Sequence, residues 1–223
     1  HRHGPGRPAL ARARLGIRVE LRTALARRRM VRSFSPAPLP AAEIDDLLHW
    51  ARRGPSAGNT QATGFVVLDH PAATAAYWDL TLPAERRATF RWHGLLLAPV
   101  LVLVTTRPDS YVARYAEADK AATGRGESTD RWPVPYWFVD AGAVVQNLLL
   151  LTVERGLGAC LFGPFDHEPA LDLYKKYLGE HAAGLPGSAL LFPLTVWPAN
   201  RPNEAVVRTI VGIDEAKKSL IFA

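Results

Sequence analysis

The spacing of apolar positions along the chain predicts helices and strands in alternation. Apolar residues recur at helical spacing in five segments, residues 17–28, 41–53, 72–80, 134–156 and 168–178. Four segments are typical of strands, residues 64–68, 95–105, 159–162 and 189–197, and residues 206–211 form a further apolar stretch. Prolines extend residues 35–40, and the polar stretch 107–133 is predicted to be irregular. Because the elements do not follow a regular strand–helix–strand repeat, the predicted fold class is α+β.

Two of these segments are apolar on every side. Residues 148–151, within the long helical segment, leave that helix without a polar face, so it is buried either in the core or at a subunit interface. The run 95–105 predicts a strand buried on both faces, with its edge at Pro99. Its ten-residue apolar part, 95–104, is too short to span a bilayer, so no membrane association is expected.

Composition fits one globular domain. The 223 residues are 48% hydrophobic and 22% charged, and a chain of this length buries roughly 70% of its unfolded surface. We expect a flexible basic arm over residues 1–13 and a single domain over residues 14–223.

The net charge of +6 is concentrated at the start of the chain. The first 32 residues hold ten arginines and one acidic residue, Glu20. This basic region is consistent with a nucleic-acid contact, a phosphate site or a solvated tail. No aromatic residues alternate with the arginines, so nucleic acid is not the expected partner.

The remaining chemistry-bearing residues exclude several classes of enzyme. The seven histidines lack metal-ligand spacing, and the sequence has no G-x-S-x-G motif, so neither a metal site nor a serine nucleophile is expected. The single cysteine, Cys160, lies in an apolar strand, where packing is a better interpretation than nucleophilic catalysis. One cysteine also suits a reducing compartment, and we expect a cytoplasmic protein.

Two polar stretches stand out against this background. Residues 53–61 read RGPSAGNTQ, a loop between a helix and a strand whose small residues let a flat ligand approach the backbone. Within it, Ser56, Asn59 and Gln61 supply donors and acceptors. Upstream, residues 28–34 read RRMVRSF, and their guanidinium groups suit a phosphate. A surface for a planar polar ring combined with a phosphate clamp indicates a flavin nucleotide.

These motifs, followed by the long apolar helix and G-L-G-A-C from Gly156, resemble those of the FMN-dependent nitroreductase family, and the resemblance covers residues 26–213. It implies a nitroreductase-like fold, with a central mixed, mostly antiparallel sheet flanked by helices. It also implies an obligate homodimer with FMN sites at the interface. Ala62 and Thr63 stand where many members have Pro-Trp, a departure on the substrate side of the site.

The resemblance also assigns site residues. Arg28, Arg29 and Arg32 match positions that hold the FMN phosphate and ring edge, and Met30 stands where the family often has a hydroxyl. The loop contributed by the neighbouring subunit corresponds to Pro55, Ser56, Ala57, Asn59 and Gln61. Phe162 and Gly163 fall where the backbone covers the flavin, and Arg201 is a loose match to a late phosphate-binding residue. No side chain is implied as catalytic, because flavin N5 carries the hydride.

The function expected from the resemblance is an oxidoreductase. It would use NAD(P)H to reduce a small planar acceptor, such as a nitroaromatic or a quinone, by a ping-pong mechanism. Two alternatives stay open: a flavin-dependent dehydrogenase or oxidase of a peptide or natural product on the same fold, and a flavin- or nucleic-acid-binding protein without turnover.

Overall fold

The computed structural model describes residues 19–163 and the backbone of three later strands, residues 192–196, 207–214 and 219–222. The predicted arm at 1–13, the helix predicted at 168–178 and Arg201 lie outside the described residues. The described helices are α1 (Leu21–Arg27), α2 (Ala41–Ala51), α3 (Pro71–Thr81), α4 (Ala84–Arg87), α5 (Pro108–Tyr115) and α6 (Tyr136–Glu154). The described strands are β1 (Thr63–Leu68), β2 (Val100–Thr106), β3 (Ala159–Leu161), β4 (Phe192–Val196), β5 (Val207–Asp214) and β6 (Ser219–Phe222).

The six strands form one sheet in the order β3-β4-β2-β1-β5-β6. Every pairing between these strands is antiparallel. An isolated parallel bridge joins Met30 to Ala159 at the β3 edge, and it brings the segment after α1 against the sheet. The described helices and strands are therefore mixed around an antiparallel sheet. This agrees with the α+β class predicted from the sequence and with the mostly antiparallel sheet that the family resemblance implied.

Alternation along β1 and β2 gives the sheet two apolar faces. Successive side chains in a strand point to opposite faces, so an unbroken apolar run covers both. Val66, Leu68, Leu101 and Leu103 pack with Tyr77 and Trp78 of α3. On the other face, Phe65, Val67, Val102 and Val104 pack with residues of α2 and α6. The result is a three-layer arrangement with the sheet in the middle.

The helices α2 and α6 form the layer that carries the candidate site. Ile44, Leu47, Leu48 and Ala51 of α2 are buried, which confirms the inward face read from the sequence. By length and composition α6 could cross a membrane, a test that core helices also pass. In the structure it packs on α2 and on strands β1 and β2.

Two sequence predictions for the region between residues 93 and 133 are wrong. The strand expected from residue 95 begins at Val100, because residues 93–95 form a 3₁₀ turn and Pro99 has no N–H to donate to a ladder. The stretch 107–133, predicted as irregular, contains the helix α5, which starts with Pro108 at its first position and Asp109 in its first turn. Both residues favour a helix start, and the polar character of the stretch concealed them.

The first helix is shorter than predicted, and two of its apolar side chains are exposed. It covers Leu21–Arg27, and Ala24 is its buried residue. Leu21 and Leu25, which helical spacing places on one face with Ala24, are 65% and 50% exposed.

Candidate functional site

The segment after α1 and the helix α6 line an open cavity. Val31 N donates to Ala159 O at 2.9 Å, next to the Met30–Ala159 bridge, and this fixes the arginine cluster beside β3. The cavity has a volume of about 590 Å³, within the usual range for small-molecule sites. Its lining residues are Arg28, Met30, Phe138, Gly142, Val145, Gln146, Leu149 and Leu161.

Among the described residues that line this cavity, Arg28 is the one cation. Its Nη1 atom is buried and has no hydrogen-bond partner among the described residues. A buried polar group normally has a partner, and a guanidinium is well suited to bind a phosphate or a carboxylate. The geometry at Arg28 therefore favours an anionic group in the cavity.

The other two predicted arginines lie outside the cavity lining. Arg29 is exposed. Arg32 donates from Nη1 to the Met30 carbonyl at 3.3 Å, and its guanidinium lies 5.1 Å from the centre of the Trp92 ring. Of the three arginines in the motif, the structure places only Arg28 on the cavity wall.

Met30 and β3 form the floor of the cavity. The Met30 sulfur accepts from Leu161 N at 3.3 Å, a contact that ties the arginine segment to the strand end. Phe162 points elsewhere, because its ring stacks on Trp78 with centroids 5.6 Å apart. Only the backbone of Phe162 is therefore available for a contact with a ligand in the cavity. Gly163 is exposed, and a Cβ there would meet nothing within 4 Å.

The loop between α2 and β1 has an unusual backbone. Gly58, Asn59 and Gln61 have positive φ angles of 62°, 55° and 56°. For non-glycine residues this left-handed conformation is uncommon and must be held by other contacts. Gln61 N donates to Ser56 Oγ at 2.9 Å, and Gln61 Nε2 donates to Asn59 Oδ1 at 2.8 Å. The polar side chains proposed as ligands thus also brace the loop.

Contacts from α5 and α6 anchor this loop. Ala57 N donates to Asp140 Oδ2 at 2.8 Å, and the Tyr111 hydroxyl donates to the same oxygen at 2.7 Å. Arg114 Nε donates to the Gly58 carbonyl at 2.9 Å. Burial, and then the Asp140 carboxylate, raise the pKa of the Tyr111 hydroxyl, so it stays a protonated donor.

Sequence reasoning missed these anchors. Asp140 offered one signal, since it is the one acidic residue between positions 136 and 153 of an otherwise apolar helix. A buried carboxylate in such a helix needs a specific partner. Tyr111 and Arg114 lie on α5, which the sequence did not predict, so no local pattern pointed to them.

Arg52 is a second buried guanidinium near the loop. It is 4% exposed, and its Nε and Nη1 atoms have no partner among the described residues. Burial, and then the charge of Arg107, lower its pKa from the usual value. Arg52 lines a small cavity under the loop with Gly54, Pro55, Ser56, Gln61, Thr63, Asp140 and Val144.

The two predicted half-sites do not meet in one cavity of the described chain. Arg28 and Met30 line the large cavity, whereas Pro55, Ser56 and Gln61 line the small one, and the two share no lining residue. Both cavities border α6. The described residues also contain no group of three or more His, Cys, Asp or Glu side chains that could hold a metal ion.

Comparison with known families identifies the family of the chain. The nitroreductase family model matches residues 25–186, which is more than half of the sequence. The protein belongs to the nitroreductase family. A second model, the FIST C domain, matches residues 170–223, most of which lie outside the described residues.

Solved structures show the same fold. A nitroreductase family protein from Streptococcus pneumoniae TIGR4 is 17% identical with a TM-score of 0.60, over 84% of this chain and 94% of that one. A protein from Exiguobacterium sibiricum 255-15, described as a nitroreductase in complex with FMN, is 15% identical with a TM-score of 0.57, over 84% and 93% of the two chains. A protein from Staphylococcus epidermidis ATCC 12228, described as an NAD(P)H:FMN oxidoreductase, is 16% identical with a TM-score of 0.55, over 85% and 92%.

The residues around the large cavity fit a flavin nucleotide. FMN combines a flat, largely apolar ring system with a phosphate. The cavity offers Arg28, whose buried Nη1 has no partner among the described residues, for the anion, and apolar walls from Phe138, Val145 and Leu149 for the ring. This donor set and the cavity volume agree with the cofactor that the sequence motifs implied.

Proposed function

We propose that this protein is an FMN-dependent oxidoreductase that uses NAD(P)H to reduce a small planar acceptor, such as a nitroaromatic or a quinone. The observation that carries the proposal is Arg28, which lines the 590 Å³ cavity and has a buried Nη1 without a hydrogen-bond partner among the described residues, in a chain of the nitroreductase family. FMN, when bound, supplies the two-electron redox chemistry that the surrounding side chains lack.

The chain's own residues would bind and orient the cofactor. Arg28 would pair with the phosphate, and Phe138, Val145 and Leu149 would exclude water from the ring. We propose that NAD(P)H and the acceptor occupy the same pocket in turn, which is ping-pong order. No side chain then has to act as a nucleophile.

We further propose a homodimer in which the Pro55–Gln61 loop of one subunit completes the site of the other. Two observations support it. The loop and the Arg28 cavity are separate within one chain, and Gly142 and Gln146 on the cavity side of α6 are exposed. One buried cysteine, Cys160, is the basis on which we propose a reducing compartment such as the cytoplasm.

Titration of the flavin-free protein with FMN, followed by anaerobic addition of NADPH or NADH, tests this function. We expect saturable binding with quenching of flavin fluorescence, and bleaching of the flavin absorbance by at least one nicotinamide. Failure to bind FMN would overturn the proposal. Binding of FMN without bleaching by either nicotinamide would instead identify a dehydrogenase, an oxidase or a flavin carrier.

A further inference from the structure

The Pro55–Gln61 loop is anchored to α6 by a buried carboxylate. Among the described residues, two groups outside the loop hydrogen-bond to its backbone: Asp140 accepts from Ala57 N at 2.8 Å, and Arg114 donates to Gly58 O at 2.9 Å. The loop contains left-handed φ angles at Asn59 and Gln61, which its own short-range hydrogen bonds must maintain against the preference of an L residue. The external contacts decide where this folded loop sits on the domain.

Asp140 is a better anchor than Arg114 because its surroundings fix it. It is 5% exposed, whereas the Arg114 side chain is 24% exposed and also bonds to Glu117 and Asp119. The Tyr111 hydroxyl, on a fully buried ring, donates to the same Asp140 oxygen that accepts from Ala57. The carboxylate is thus held from α5 while it holds the loop.

Packing stability alone does not account for a carboxylate at this position. Burying a charge without a cation in contact is unfavourable, and no salt bridge to Asp140 is formed by the described residues. The Arg52 guanidinium lines the same small cavity without a hydrogen bond to Asp140. The hydrogen bonds of Asp140 are made to the loop backbone and to Tyr111. We therefore attribute the carboxylate at this position to the anchoring of the loop and not to core packing.

We propose that Asp140, oriented by the Tyr111 hydroxyl, is a positioning residue that fixes the place of the Pro55–Gln61 loop on the domain and thereby sets the affinity for FMN. The inference rests on the proposed function as far as the cofactor is concerned. The part that concerns loop order stands on the hydrogen bonds alone.

The test is a graded series at Asp140 with two readouts. We expect Asp140→Ala to weaken FMN binding about tenfold or more, the scale for losing a hydrogen bond to a charged group. Asp140→Asn should be intermediate, because its amide oxygen can still accept from Ala57 N. Tyr111→Phe should have a smaller effect, since it removes only the hydroxyl. The second readout is deuterium uptake by the peptide that spans residues 54–61 in flavin-free protein. We expect this uptake to increase most in Asp140→Ala, less in Asp140→Asn and least in Tyr111→Phe.

Thr81→Val is the matched control. Thr81 is fully buried on α3, and its hydroxyl donates to Tyr77 O at 2.8 Å, so the variant also loses a buried hydrogen bond. It should lower the melting temperature without changing loop exchange or FMN affinity. A merely structural role for Asp140 would make the two sites behave alike.

Two outcomes separate the inference from the proposed function. If wild-type protein binds no FMN, the proposed function fails, and loop exchange alone decides whether Asp140 holds the loop. If wild type binds FMN but loop uptake and FMN affinity in Asp140→Ala stay within about twofold of wild type, the inference is overturned. Asp140→Asn and Tyr111→Phe keep the test decisive if the alanine variant does not fold.

Discussion

At the scale of single residues, the arginine cluster divides into different tasks. Arg28 lines a cavity and has a buried nitrogen without a partner among the described residues, whereas Arg32 lies over the Trp92 ring, a contact that is favourable for a guanidinium. Neighbouring arginines in one motif therefore need not share a ligand. The distinction matters because a charge at an exposed site contributes little, while the same charge in a desolvated cavity binds an anion strongly.

Arg28→Ala tests this distinction. It should weaken FMN binding by about 1.5–3 kcal/mol, because a charge-assisted hydrogen bond to the phosphate is lost. Arg27→Ala is the matched control, since Arg27 is the exposed last residue of α1 and precedes Arg28. Fluorescence titration of both variants with FMN gives the two affinities. Equal losses at both positions would show that general positive charge, and not a specific guanidinium, holds the anion.

At the scale of elements, the loop and α5 are packed against each other at close range. A Cβ built on Gly58 would lie 2.6 Å from Cε2 of the Tyr115 ring, and Gly58 also has a left-handed φ of 62°. Gly126 approaches the same helix end, with a built Cβ 2.5 Å from the Ala116 backbone. Only glycine fits such approaches without movement of a neighbour.

Gly58→Ala should therefore destabilise the protein more than backbone strain alone predicts. Gly124 isolates the strain, because its φ is 67° but its Cβ would meet nothing closer than 3.8 Å. We expect Gly124→Ala to cost about 1 kcal/mol of unfolding free energy, and Gly58→Ala a further 1–3 kcal/mol or so from the clash with Tyr115. Chemical denaturation of both variants measures the difference. Similar losses would mean that Tyr115 moves aside freely.

At the scale of the whole molecule, α6 contacts the core, the Pro55–Gln61 loop and the large cavity. Its buried side packs on α2 and the sheet, Asp140 holds the loop, and Val145 and Leu149 line the large cavity. Val139 on the same helix is 54% exposed. Val134 and Tyr136, at the start of α6, are also 43% and 40% exposed, and several exposed apolar residues near one end of a helix are consistent with a subunit contact there.

Val139→Glu tests the proposed dimer. If Val139 is buried in a two-fold contact, a carboxylate there has no partner and should favour the monomer, with loss of FMN. Leu80→Glu is the control, since Leu80 is 44% exposed on α3, on the opposite side of the sheet. Light scattering should give a mass near twice 24.4 kDa for wild type and for Leu80→Glu. A wild-type monomer with full FMN occupancy would contradict the proposal.

The tertiary structure changes the choice of variant for such a test. Val145 lies in the apolar helical segment 134–156. The sequence left open whether this helix is buried in the core or at a subunit interface. Val145 is 4% exposed within one chain and packs in the cluster with α2 and the sheet. A charge at Val145 would disrupt the fold itself, so only an exposed position such as Val139 reports on assembly.

The sequence by itself determined the features that a short window encodes. The spacing of apolar residues, together with the Gly and Pro residues that end each segment, predicts strand β1 and helices α2 and α6. All three lie close to their predicted positions. The nitroreductase motifs also lie in contiguous residues, so the family was recognisable without coordinates. Each of these signals depends on neighbours within a turn or a strand.

The tertiary structure decided which of the motif residues share a cavity and what holds them. The Ala57–Asp140 hydrogen bond joins residues 83 positions apart, and the Met30–Leu161 contact joins residues 131 apart. Such pairs depend on how α6 and β3 pack against the rest of the chain, and no local periodicity carries that information. For the same reason a single motif was split, with Arg28 on a cavity wall and Arg32 against Trp92.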